Sequence, residues 1–398
     1  MIHVPAEASE VALMLATVII ISVLTARLRV PYTVGLVVAG LIIGILPHPA
    51  HFELTPSLVL FAFLPPLLFD GGWSIDTKEL ARNWAPVTLL ATIGVLLGIG
   101  ISFVFLAFGA HLPEQTAIIF GAIVAATDPV AVLVLFKTLR IDPSLLSIVE
   151  GESLFNDGTS VVSFSALLTV FSLGRGFQLG ATLSDFVLMT VGGIAVGVVI
   201  GYLARLIIRV VADQTMVVAF LTASVAYGAY FIADDLGVSG IMAVIFAAIV
   251  IAASSSLNKM PEQERATITG FWSVIAFLAN SALFLLMGVS IHIGDIVAEW
   301  PDAMWGIFAV VLARPLMVTL LAPVSALLGR PLSRTWQQAI TLAGMRGALS
   351  MALVLSLPDG FPAKPLLVSM VFSVVLFTVV IQGSLLEPLL RRLGLTDV

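Results

Sequence analysis

Thirteen long apolar stretches, joined by short polar connections, leave this chain almost nothing from which to build a surface that water would wet. They run roughly 9–26, 31–46, 57–75, 84–108, 115–138, 145–173, 181–210, 216–233, 238–254, 271–290, 302–328, 335–357 and 365–388. Transmembrane β-strands would be about ten residues long and would alternate strictly. These stretches are continuous and approach the ~20 residues that an α-helix needs to cross a bilayer. The expectation is an all-α polytopic membrane protein with 13 transmembrane helices. Apolar residues at 60% and charged residues at 11% agree with lipid as the solvent. With no cysteine, disulfides, thiol catalysis and Cys-bound metals are excluded. Residues 1–10 are acidic, and no cleavable signal peptide is expected.

Lys and Arg set the orientation. Arg27, Arg29, Lys78, Arg82, Lys137, Arg140, Arg205, Arg209, Lys259, Arg265, Arg330, Arg334, Arg391 and Arg392 fall on one side of the alternating loops, against Arg175 and Lys364 on the other. The positive-inside rule puts the larger set in the cytoplasm. The N-terminus is then extracytoplasmic and the C-terminus cytoplasmic, in a plasma (inner) membrane. The longest polar stretch, about 254–270, is too short for a soluble domain.

Thirteen divides as six, one and six, and a shift of seven inverts each six-helix copy relative to the membrane. Inverted repeats with helices interrupted at the midplane are a common transporter plan. Segment 5 carries Thr127-Asp128-Pro129 at its middle, and its partner, segment 12, carries Gly344-Met345-Arg346-Gly347. Proline removes a backbone donor and glycine weakens a helix. Two inverted six-helix repeats are therefore expected, with segments 5 and 12 broken and crossing.

Charges inside these segments are few: Asp70, Asp128, Glu150, Glu152, Asp157, Arg314 and Arg346. Each costs at least ~2.5–3.5 kcal/mol at a helix centre, so each needs a reason. In segment 6, helical spacing puts Glu150, Ser153 and Asp157 on one face and Glu152 with Asn156 on another. Asp157 lies near half depth. Its carboxylate, with the Ser153 hydroxyl, the Asp128 carboxylate and backbone freed near Thr127, offers oxygens to a small monovalent cation. The same carboxylate could take a proton instead, and that competition would couple two fluxes. Other readings stand beside this one. Asp157 could be a packing carboxylate held by an arginine, and Asp128 could cap a half-helix. Glu152 with Arg346 reads as a structural ion pair, because unpaired buried charges are costly. Glu150 snorkels or lines an entrance. Arg314, beside Pro315, is structural with no partner assigned. Asp70 is an inner-mouth residue or a remote ligand. His3, His48, His51, His111 and His292 all fall outside the segments, which excludes a histidine metal site within the membrane.

Three motifs then resemble a known family. Thr127-Asp128-Pro129-Val130-Ala131-Val132, Gly151-Glu152-Ser153-Leu154-Phe155-Asn156-Asp157 and Gly344-Met345-Arg346-Gly347-Ala348 are similar to signatures of monovalent cation:proton antiporters of the NhaP/NHE type. Leu64-Pro65-Pro66-Leu67-Leu68-Phe69-Asp70 resembles their third helix, and the likeness runs from about residue 60 to 390. The resemblance implies a homodimer in membrane lipid. Its dimerisation domain would be 9–82 and 181–300, its core ion-transport domain 84–175 and 302–390, and the core would move like an elevator. It implies Asp157 as the main cation and proton site, completed or oriented by Asp128, Ser153 and the Thr127 backbone. Asn156 would orient or shield that site, Asp70 would contribute from the third helix, and Glu152 would pair with Arg346. Asn-Asp at 156–157 is associated with electroneutral exchange. No cofactor beyond the transported Na⁺, Li⁺ and H⁺ is implied, and no nucleic-acid partner. The expected activity is Na⁺/H⁺ antiport rather than enzymatic catalysis, with K⁺/H⁺ antiport as the nearest rival and a gated channel as a more distant one.

Overall fold

A computed structural model describes residues 6–28, 32–45, 57–172, 179–211, 213–254, 260–290, 294, 298–358, 360, 361 and 363–395. His3, His48, His51, His292, Arg29, Arg175 and Lys259 lie outside the described residues. Every element among the described residues is helical. In lipid each backbone N–H and C=O must be satisfied internally, and a helix does this within one segment.

In chain order the helices are α1 (Ala6–Leu28), α2 (Tyr32–Ile45), α3 (Leu58–Ser74), α4 (Thr77–Arg82), α5 (Trp84–Gly109), α6 (Glu114–Ile123), α7 (Val130–Thr138), α8 (Pro143–Ser172), α9 (Leu179–Val211), α10 (Thr215–Asp235), α11 (Gly240–Ala252), α12 (Glu262–Val289), α13 (Trp300–Leu327), α14 (Arg334–Ala343), α15 (Ala348–Leu355) and α16 (Lys364–Arg392). Seven are long and apolar enough to cross a membrane, and the bent pair α14–α15 brings the number to eight. α1, α2, α3 and α11 are shorter apolar helices.

Local chemistry explains most helix ends. Asp76 caps α4 by accepting from the backbone N–H groups of Lys78 (2.9 Å) and Glu79 (3.2 Å). Ser239 caps α11 and Ser333 caps α14 in the same way. Pro143 opens α8, where its missing N–H costs nothing. α12 begins at Glu262, about two turns before its apolar run, so part of the polar stretch 254–270 is helix rather than loop.

Packing divides the helices by depth. α11 is almost wholly buried, against α3, α9 and α10. α9 leaves most of its apolar surface uncovered, as a lipid-facing helix would. α2 and α12 approach closely because Gly40 and Gly288 meet, and a side chain on either would strike the other backbone.

Candidate ion site at the crossing of two broken helices

The site forms where two helices come apart. Residues 124–129 are non-helical between α6 and α7, and residues 344–347 are non-helical between α14 and α15, which are bent by 50°. The two interruptions bind each other. Asp128 N–H donates to the Met345 carbonyl at 2.8 Å. Arg346 Nη1 donates to the carbonyls of Ala125 (2.9 Å) and Ala126 (3.1 Å), just past the C-terminal end of α6. A helix end leaves unsatisfied carbonyls and a partial negative charge, and a guanidinium answers both. Arg346 N–H also donates to Thr378 Oγ1 at 3.1 Å, tying the break to α16. On the other side, Asp128 Oδ1 accepts from Val130 N–H, the first of α7, at 3.0 Å. Gly347 permits this crossing, because a Cβ there would overlap the Asp128 side chain.

α8 carries the next layer. Ser153 Oγ donates to the Thr127 carbonyl and accepts from Thr127 Oγ1 at 3.3 Å. Asn156 holds Thr127 from behind. Its Oδ1 accepts from Thr127 N–H at 3.2 Å, and its Nδ2 donates to Thr127 Oγ1 at 2.7 Å and to Glu152 Oε1 at 2.8 Å. Asn156 is fully buried and does not line the cavity described below.

The ion pair differs from the sequence expectation. Glu152 does not pair with Arg346. Its two oxygens accept from Arg314 Nη1 and Nη2, each at 2.8 Å, with both side chains buried. Arg314 Nη2 also donates to the Ile340 carbonyl at 3.2 Å. Gly344 makes room for this guanidinium: a Cβ there would lie 2.5 Å from Arg314 Nε. Arg346 is drawn instead to the carbonyls freed by the opposite break, and stays within electrostatic reach of Glu152 without touching it. Both arginines fall near the middle of their apolar segments, so position along the segment could not decide which one meets Glu152.

In front of this scaffold lies a cavity of about 770 Å³. Asp157, Asp128, Ser153, Thr127, Asp70 and Gly347 line it, with Glu150 and Lys137. Asp157 has no hydrogen bond or ion pair with any described residue. No described arginine holds Asp157, and its side chain faces the cavity. One Asp70 carboxylate oxygen is likewise buried without a partner. Lys137, counted from sequence among the loop cations, sits in the last turn of α7 at the cavity wall. The sequence signal missed for Gly347 was its position, a glycine beside a buried charge within a helix break.

Interrupted helices that meet over a carboxylate with no partner among the described residues, inside a cavity within a bundle of apolar helices, define the class of secondary ion transporters. The chain belongs to the sodium/hydrogen exchanger transmembrane family, which it matches over residues 13–392. It is 38% identical over 373 residues to the Na(+)/H(+) antiporter ApNhaP of Aphanothece halophytica, across 92% of this chain and 70% of that protein. It is 33% identical over 402 residues to the Na(+)/H(+) antiporter NhaH of Halobacillus aidingensis, across 97% of this chain and 98% of that one. Its fold is similar to that of the sodium proton antiporter MjNhaP1 from Methanocaldococcus jannaschii, with a TM-score of 0.78 and 25% identity, covering 97% of this chain and 98% of that one.

Proposed function

We propose that this protein exchanges Na⁺, and Li⁺ as well, for H⁺ across the plasma membrane, with proton and cation competing for Asp157. The observation that carries the reading is Asp157 itself: a carboxylate with no partner among the described residues, in a cavity shared with Asp128, Ser153 and Thr127. Na⁺ would take oxygens from Asp157, Asp128, Ser153 and the Thr127 backbone. With either ion aboard, the Asp157 charge is neutralised and the site can cross the low-dielectric barrier. Empty, it carries the full cost of a bare intramembrane charge, at least ~2.5–3.5 kcal/mol on insertion scales. One carboxylate holding one ion or the other favours electroneutral 1:1 exchange. Sodium is favoured over potassium because the relatives described above are named as sodium antiporters.

The transport cycle belongs to the same proposal. The thirteen-span, inverted-repeat plan is supported by paired interruptions in α6–α7 and α14–α15. The core, 84–175 and 302–390, carries the crossing. The dimerisation domain, 9–82 and 181–300, supplies the facing wall through α1, α3 and α12. An elevator-like slide of the core would expose the site to each side in turn. A homodimer joined through the second domain is consistent with the uncovered apolar face of α9. Lys137 at the cavity wall and the basic residues at that end of the helices argue for a cytoplasmic mouth, with the N-terminus outside.

The test is ΔpH dissipation in proteoliposomes, adding Na⁺, Li⁺ and K⁺ in turn. Na⁺ and Li⁺ should collapse the gradient and K⁺ should not. A gradient indifferent to Na⁺ would overturn the proposal.

A further inference from the structure

The wall facing Asp157 is built partly from α12, and its cavity-lining residues share one helical face: Ser273, Ala276, Phe277, Asn280 and Leu283. Exposure along this face falls from Ser273 and Phe277, which are open, to Asn280 at 7% and Leu283 at 2%. α12 also packs against α15 of the crossing, and Asn280 is the buried polar residue on its cavity-lining face. Among the described residues no contact explains an asparagine there. Its neighbour Ser281 donates to the Phe277 carbonyl and meets Tyr32 Oη. The Asn280 amide bonds to no described residue, yet its polar atoms are not sealed off from the cavity as the Asp70 oxygen is. An amide that spends its carbonyl oxygen on no described protein group, at the wall of the cavity, is free to engage whatever occupies that cavity.

We infer that the Asn280 side-chain oxygen is a further cation ligand, supplied from the wall opposite the broken helices. The inference rests on the proposed Na⁺/H⁺ exchange. The oxygens of the crossing come from one side only: Asp157, Asp128, Ser153 and Thr127 all project from α8 or from the break between α6 and α7. A small alkali ion losing its water in the cavity is better held when oxygens also reach it from the facing wall, where Asp70 offers a charged group and Asn280 a neutral one. A carboxamide supplies one without adding charge, so it assists dehydration and leaves the proton–cation balance at Asp157 unchanged. Because α12 lies outside the proposed moving core, this oxygen serves the ion while the cavity is open and is left behind as the core moves.

The experiment measures the Na⁺ and Li⁺ concentration dependence of exchange in proteoliposomes for wild type, Asn280→Leu, Asn280→Ala and Asn280→Asp. Loss of one neutral oxygen should raise the apparent KM for Na⁺ by about two- to tenfold in Asn280→Leu and Asn280→Ala. Maximal rate should change less, and the Li⁺/Na⁺ preference should shift. Asn280→Asp keeps an oxygen in place and should hold the KM at or below the wild-type value. A packing role would give the opposite order, since an unpaired charge disturbs a buried site more than leucine does. Wild-type KM and unchanged Li⁺/Na⁺ preference in the alanine and leucine variants would overturn the inference, as would damage by aspartate equal to that by leucine. Absence of Na⁺-driven exchange in the wild type would instead remove the proposed function.

Discussion

Arg314 on α13 grips both oxygens of Glu152 on α8, each at 2.8 Å, and so fastens the back of the candidate ion site. The same Glu152 accepts from Asn156, which holds Thr127 at the break. A chain of contacts thus runs from Arg314 to the oxygens that face the cavity.

Breaking this pair on one side should be expensive. Glu152→Ala or Arg314→Ala strands a buried charge, at a cost of about 3–5 kcal/mol. Thermal unfolding in detergent should register a far larger loss for Glu152→Ala than for Asp128→Asn. Replacing both partners with apolar residues should recover part of the loss, because neither charge is then left alone. Equal losses for Glu152→Ala and Asp128→Asn would argue against the pair as the structural fastener.

Gly347→Ala tests the crossing itself. The added methyl would overlap Asp128, so the two breaks must separate or Asp128 must turn away. Overpacking of this kind costs about 1–3 kcal/mol. A penalty of that size falling on the ion site corresponds to roughly tenfold at 1.4 kcal/mol per decade, read as slower Na⁺-driven proton flux in vesicles. The protein should still insert. Undiminished flux would mean that the close approach has no bearing on transport.

Much of this arrangement was legible in the sequence. Apolar runs located the long helices to within a few residues, α12 excepted, because lipid imposes one simple demand on a spanning segment. Thr127-Asp128-Pro129 and Gly344-Met345-Arg346-Gly347 marked both breaks, because breakers and charges rarely coincide in a membrane helix without a purpose. Spacing on α8 separated the cavity-facing Ser153 and Asp157 from the inward-facing Glu152 and Asn156. The partner of Glu152 was not legible. Spacing along one helix reports depth and face, but not which of two arginines on other helices will approach. Arg346 went to the Ala125 and Ala126 carbonyls, groups that become available only once α6 is known to end at Ile123. The π-helical turns at Leu58–Phe63, Leu90–Gly94, Phe105–Gly109 and Thr378–Gln382 were equally hidden, since a wider turn leaves no mark in an all-apolar run.

Charge balance gives a third prediction. If one Na⁺ exchanges for one H⁺, the cycle moves no net charge. Clamping the membrane potential with K⁺ and valinomycin at different values should leave the exchange rate unchanged. A rate that follows the imposed voltage would show electrogenic transport and would require a second titrating group, with Asp128, Asp70 and Glu150 the other carboxyl groups lining the same cavity.

The central claim is that Asp157 holds a proton or a sodium ion and never both. Adding NaCl to lightly buffered, purified protein should release about one proton per chain, and the Asp157→Asn variant should release none while remaining folded. Sodium binding to the wild type without proton release, or undiminished release from Asp157→Asn, would contradict the account.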